Sequence, residues 1–195
     1  RLYVNTGGGQ SMIKIEINQR ELNRIDQKLA QIGKKTPVVV SRALNKTAVS
    51  ARVRLKNRAQ AAYTVKSGKF NKYMEIRKAN TGSLCAEIRS QGSPLNLTNF
   101  KATTPKSGAK AQIVAGGGLK VLIYSAGSSP IKAFRGPNGL IFQRRGKKRK
   151  PIKKLFSNSI PVMIGSEERV YGVEKDNIQS DLNKYVSQQI AILIK

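Results

Sequence analysis

Histidine and tryptophan are absent from these 195 residues, cysteine occurs once, and aspartate and glutamate together number ten. Each shortage removes a class of chemistry. With no His and with Cys85 alone, the chain holds no disulfide framework, no Cys/His metal set and no Cys-His or Ser-His nucleophile. The ten carboxylates lie mainly toward the two ends and leave no pair on one element for acid–base work, so neither an enzyme nor a cofactor is expected. No apolar run approaches the roughly 18 to 20 residues a membrane-spanning helix needs, and no charged-then-apolar leader pattern is present. A soluble protein of a reducing compartment, without membrane contact, is expected.

Positive charge is what the chain has in quantity. Lys and Arg total 37, for a formal net charge of +27 and a pI near 10.7. From Gln27 to Ser166 there are 29 cations against only Glu75 and Glu87. Such self-repulsion implies a counter-charge, either nucleic acid or the acidic side chains of a partner.

The charge is densest in a stretch that also carries turn signals. Gly136-Pro137-Asn138-Gly139 lies between Ile131/Ala133/Phe134 and Leu140/Ile141/Phe142, and residues that reach positive φ between short apolar runs predict a β-hairpin. Arg144, Arg145, Lys147, Lys148, Arg149, Lys150, Lys153 and Lys154 follow, eight cations in eleven residues. Unpaired charges are costly to desolvate, so this run must sit in solvent, on a polyanion or against a partner's carboxylates. These eight are the candidate partner or DNA contacts, and Phe134, Pro137 and Phe142 the candidate interface residues. Aromatics make up 6% of the chain and are not interleaved with the basic run in sequence, so no base-stacking platform is expected. Ile160-Pro161-Val162-Met163-Ile164 reads as a strand or docking segment.

Elsewhere the periodicities are clear. Residues 1–11, polar and glycine-rich, read as an expression-derived or upstream-translated leader and are left out of the fold reasoning. From Met12, Ile13, Ile15 and Ile17 alternate with Lys14 and Glu16 as in a half-buried strand. Leu22, Ile25, Leu29 and Ile32 then fall on one helix face, with Gly33 as its stop. Thr36-Pro37 opens a second helix whose stripe is Val40, Ala43, Leu44, Thr47, Ala51, Leu55 and Ala59. Tyr63 to Phe70 reads as a linker. The segments 73–79 and 83–90 read as a second hairpin with Ile76, Leu84, Ala86 and Ile88 inward. Phe100 to Lys110 is loop-rich. Gly116-Gly117-Gly118 lacks the Gly-Lys-Ser/Thr ending and the following helix of a phosphate loop, and reads as a hinge or bulge between strands. Val173, Ile178, Leu182, Tyr185, Val186, Ile190, Leu193 and Ile194 recur at helical spacing and predict a C-terminal helix burying a wide stripe. The expected fold is α+β: one domain over residues 12–195, an antiparallel sheet packed by two N-terminal helices and one C-terminal helix, with a protruding basic hairpin arm at about 131–156.

Several short segments together resemble one family. Ala43-Leu44-Asn45-Lys46-Thr47-Ala48 on the second helix, Tyr63-Thr64-Val65-Lys66, Lys132-Ala133-Phe134, and Phe142-Gln143-Arg144-Arg145-Gly146 running to Pro151-Ile152 are similar to the prophage minor tail protein Z family of long-tailed phages. The resemblance covers most of the chain from Met12 onward. It implies a structural virion protein that completes the head-proximal end of the tail and makes it competent for head joining. It further implies a homo-oligomeric ring, six-fold as the expectation, with other tail and neck proteins as partners and DNA in the tail lumen as a further contact. Assembly would take place in the bacterial cytoplasm. On this reading the hairpin arm meets neighbouring subunits or the DNA path, while helices and sheet form the ring body. The alternative is a sequence-nonspecific nucleic-acid-binding protein using residues 144–154, since no helix-turn-helix or zinc finger supports base readout.

Overall fold

A computed structural model describes residues 2–7, 10–30, 35–66, 70–126 and 129–194. The fold is α+β, with every strand pairing antiparallel. The chain divides into two compact units: residues 1–59, 70–92 and 161–195 form the first, and residues 60–69 and 93–160 the second. No helix among the described residues is long and apolar enough to cross a membrane.

In the first unit β1 (Leu2–Gly7), β2 (Gln10–Glu16), β3 (Met74–Arg77) and β4 (Cys85–Gln91) form one sheet in the order β1-β2-β4-β3. Residues set aside as a leader include a strand, β1, which pairs with β2 from Gln10 to Ile15. Alternation does the sorting on β2 and β4: Ile13, Ile15, Ala86 and Ile88 are buried, while Lys14 and Arg89 face outward around the carboxylate of Glu87. Of the residues expected inward on the second hairpin, Ala86 and Ile88 are buried; Ile76 and Leu84 are only half-buried, and Met74 is buried in their stead. Strand pairing Met74↔Ser90 sets that register.

Helix α1 (Gln19–Leu29) begins at Asn18, whose side chain accepts the Glu21 amide at 2.7 Å, a cap that leaves one fewer bare donor. It buries Ile25 and Leu29; Ile32 and the stop expected at Gly33 lie outside the described residues. Helix α2 (Thr36–Ala62) buries all seven residues of the stripe read from sequence, together with Thr36, Val39, Ser41 and Ala48. The Asn45 amide clamps the backbone of Ala79, accepting its N–H at 2.7 Å and donating to its carbonyl at 2.9 Å. Helix α3 (Ile160–Ile164) stands where a strand or docking segment was expected, so the strand alternative falls. A five-residue apolar run has no usable periodicity, and Pro161 suits a helix's first turn, where its missing donor costs nothing.

The last helix, α4 (Tyr171–Ile194), buries Ile178 and Leu182, but Val173 is exposed, Val186 and Ile190 are half-buried, and Ile192 is 58% exposed. Its wide stripe is therefore covered only in part. Between α1 and α4 runs a groove of about 650 Å³, with Ile17, Ile25, Leu182, Val186 and Ile190 among its lining. Asp181 ties α4 to α2, accepting from Arg54 Nε at 2.8 Å, Arg54 Nη2 at 3.2 Å and Ser50 Oγ at 2.6 Å. Burial pushes the Asp181 carboxyl up, but the hydrogen bonds from Arg54 and Ser50 outweigh it and hold its pKa below the ordinary value.

The second unit is built from short ladders: β5 (Leu95–Asn96), β6 (Lys101–Thr103), β7 (Lys110–Gln112), β8 (Lys120–Val121), β9 (Ile123–Ala126), β10 (Ser129–Lys132), β11 (Phe134–Arg135), β12 (Ile141–Arg144), β13 (Ile152–Lys154) and β14 (Phe156–Ser157). They pair as β6-β7-β8, β9-β10, β11-β12-β13 and β5-β14. The core is small, with Leu97, Ala109, Ala111, Ala133 and Ile141 at its centre. Backbone bonds from Ala109 to Ala133, Leu122 to Ala109 and Ala133 to Leu122 lock three ladders together. Where it is described, the expected linker is packed: Tyr63 and Val65 are buried, Thr64 N donates to Ile113 O, and Lys66 N donates to Asn99 O, while its residues 67–69 lie outside the described residues. The loop-rich stretch contains a strand, β6, and buries Phe100 completely. Gly116 and Gly118 take φ of 79° and 67° in the turn between β7 and β8, which fits a glycine turn between strands.

Candidate nucleic-acid interface

Charge divides unevenly between the units. Every one of the ten carboxylates belongs to the first. The second holds Lys66 and Lys69 in its first segment and fourteen cations in its other, sixteen in all, with no Asp or Glu.

The basic hairpin is assembled from two turns. The first joins β11 to β12, where Asn138 and Gly139 take φ of 55° and 73°, and Gly136 N donates to Leu140 O at 2.8 Å. Gly136 is required by crowding: a Cβ there would lie 2.3 Å from Cδ2 of Phe142. The second turn joins β12 to β13, closed by Arg145 N donating to Pro151 O at 3.1 Å, with residues 146–150 at the tip. Gln143 is buried and donates to Ile131 O at 2.9 Å, so a side chain inside the basic segment anchors β12 to β10.

Of the eight candidate contacts, Arg144, Arg145, Lys147, Lys148, Arg149, Lys150 and Lys153 are exposed and Lys154 is half-buried. Among the described residues no carboxylate forms an ion pair with any of them. Phe134 and Phe142 are half-buried and Pro137 is exposed at the turn.

Register corrects one expectation. The pairings Phe134↔Phe142, Phe142↔Lys154 and Arg144↔Ile152 put these five residues on one face of the β11-β12-β13 sheet. The Phe134 and Phe142 rings stack with centroids 6.4 Å apart, and the Arg144 guanidinium lies 5.5 Å from the Phe134 centroid. Lys154 Nζ lies 5.3 Å from the ring of Phe156, which is 51% exposed. Aromatics and cations are therefore interleaved in space although they are not in sequence. Cross-strand pairing produces the mixture, and the legible signal was the i, i+2 spacing of Phe142 with Arg144 and of Lys154 with Phe156. Phe156 and Ile152, the latter 44% exposed, were missed as members of this face.

Segments that carry the family resemblance hold structural positions. Ala43, Leu44, Thr47 and Ala48 are buried in α2, Asn45 clamps Ala79, Tyr63 and Ala133 are buried, and Gln143 braces the hairpin. Compared with protein-family models, curated proteins and solved structures, the chain matches none of them.

Proposed function

We propose that the chain is a structural virion protein of a long-tailed phage or prophage, completing the head-proximal end of the tail as a ring subunit, and that its second unit faces a polyanion. The observation that carries the polyanion contact is a unit with sixteen cations and no carboxylate, whose hairpin holds eight of them without an ion-pair partner among the described residues. The tail-end assignment is supported by the resemblance of the α2 core and the hairpin segment. Electron microscopy of particles made without this protein tests it. Full-length tails and filled heads left unjoined, or joined into non-infectious particles, are expected. Absence of tails would place the protein earlier in assembly, and normal infectious particles would overturn the reading.

A second reading, a nucleic-acid-binding protein without sequence preference, is favoured by the solvent-facing tip at residues 145–150. Phosphate contacts from such a tip carry affinity but no sequence information. Normal particles together with steeply salt-dependent DNA binding would favour it over the first.

A further inference from the structure

We infer that the outer face of the β11-β12-β13 sheet, continued by Phe156, binds unpaired nucleotides of a single-stranded nucleic acid. This deepens, and rests on, the reading of the hairpin as a polyanion-facing surface.

Three observations narrow the ligand. Three of the chain's five phenylalanines, Phe134, Phe142 and Phe156, lie in one contiguous strip with Arg144 and Lys154. An acid-free unit around them attracts any polyanion, but charge alone would not put aromatic surface at the contact. Acidic protein segments and polyphosphate need only the cations. Second, half of the Phe156 surface is open to solvent although burying a ring stabilises a fold, and Ile152 beside the strip is open as well. Third, Arg144 lies over one face of Phe134 and Lys154 over one face of Phe156, so a phosphate bound to either cation is held beside a ring, and the exposed half of Phe156 is the aromatic surface its base would meet. A duplex hides its base faces in the stack; a single strand offers every one of them, and aromatic stacking tolerates all four bases. The strip is therefore matched to a strand without a partner.

The chain lacks tryptophan, so Phe156→Trp places the only indole of the molecule in the strip. With this variant, a 20-nucleotide oligo-dT is expected to quench the indole emission, whereas a 20-base-pair duplex and inorganic polyphosphate bind without quenching. In anisotropy titrations Phe156→Ala is expected to weaken oligo-dT binding about five- to 150-fold, leaving duplex affinity and the salt slope unchanged. Equal quenching by duplex, or a Phe156→Ala protein that binds oligo-dT as the parent does, overturns the stacking inference while polyanion binding stands. If no polyanion binds in a salt-dependent way, both fall. Phe156→Tyr, which keeps a ring, is expected to retain parental affinity, and loss with this variant too would overturn the inference.

Discussion

Gly136 has no room for a side chain. Its neighbour Phe142 would meet a Cβ at 2.3 Å, so Gly136→Ala is expected to push the ring outward and lower stability by about 1–3 kcal/mol, as overpacking does. Urea unfolding checks the value. Combining Gly136→Ala with Phe142→Leu should return part of the loss, because the two positions share one space. At Asp181 the sign of a pH effect follows from its depressed pKa. The Arg54 and Ser50 bonds stabilise the fold above the ordinary carboxylate pKa, and that contribution fades as pH falls through the lower native value. Asp181→Asn should therefore be less stable than the parent at pH 7, by about 1 kcal/mol or less given the exposure of Arg54, and the difference should shrink as pH falls through and below the ordinary carboxylate range in thermal melts. Cys85 titrates high: burial first, then its hydrogen bond to Glu16, pushes the thiol up to about 11. Alkylation at pH 8 should be much slower than for a free thiol. Residues like these were half legible. Asn45 stood out as part of an Ala-rich motif, yet nothing in the sequence tells that its amide spans to Ala79, 34 positions away.

Among the elements, α2 was the most legible, because 27 residues give a 3.6-residue period many turns in which to declare itself. Its seven-residue stripe is buried as read. Strands of two to four residues offer no such repetition, which is why residues 63–70 and 100–110 of the second unit looked like linker and loop, while the turn residues at 136–139 still marked the hairpin. The same shortness hid the aromatic–cationic face: a strand shows its own alternation, but cross-strand neighbours depend on a register that only the folded ladder fixes. Replacing Asn45 by Ala should cost about 1–3 kcal/mol, since the N–H and C=O of Ala79 lose their partner together; amide exchange at Ala79 should rise with it. The hairpin tip behaves oppositely. Reversing charge at Arg144, Arg145, Lys147 and Lys148 should leave the melting temperature within a few degrees, because their side chains are exposed, and should abolish particle assembly or infectivity. An unchanged titre would remove the arm from the function.

For the molecule as a whole, the uneven charge was visible early, as 29 cations in a window with two carboxylates. Where that window divides into units was not visible, because the division falls inside the last turn of α2, and Gln60–Lys69 belongs to a unit whose other residues begin at Ser93. If the eight hairpin cations meet phosphate on duplex DNA, the logarithm of affinity should fall with the logarithm of salt at a slope of roughly −7, and each Lys→Ala there should flatten it by about 1. A shallow slope would mean that most of the eight stay in water. The unit that carries them has a further property. With sixteen Lys and Arg and no Asp, Glu, His or Cys, it holds neither an acidic side chain to shed its ligand by repulsion nor a histidine to act as a proton switch. Whatever it holds is therefore displaced by ionic competition, mechanical pull or a rival anion.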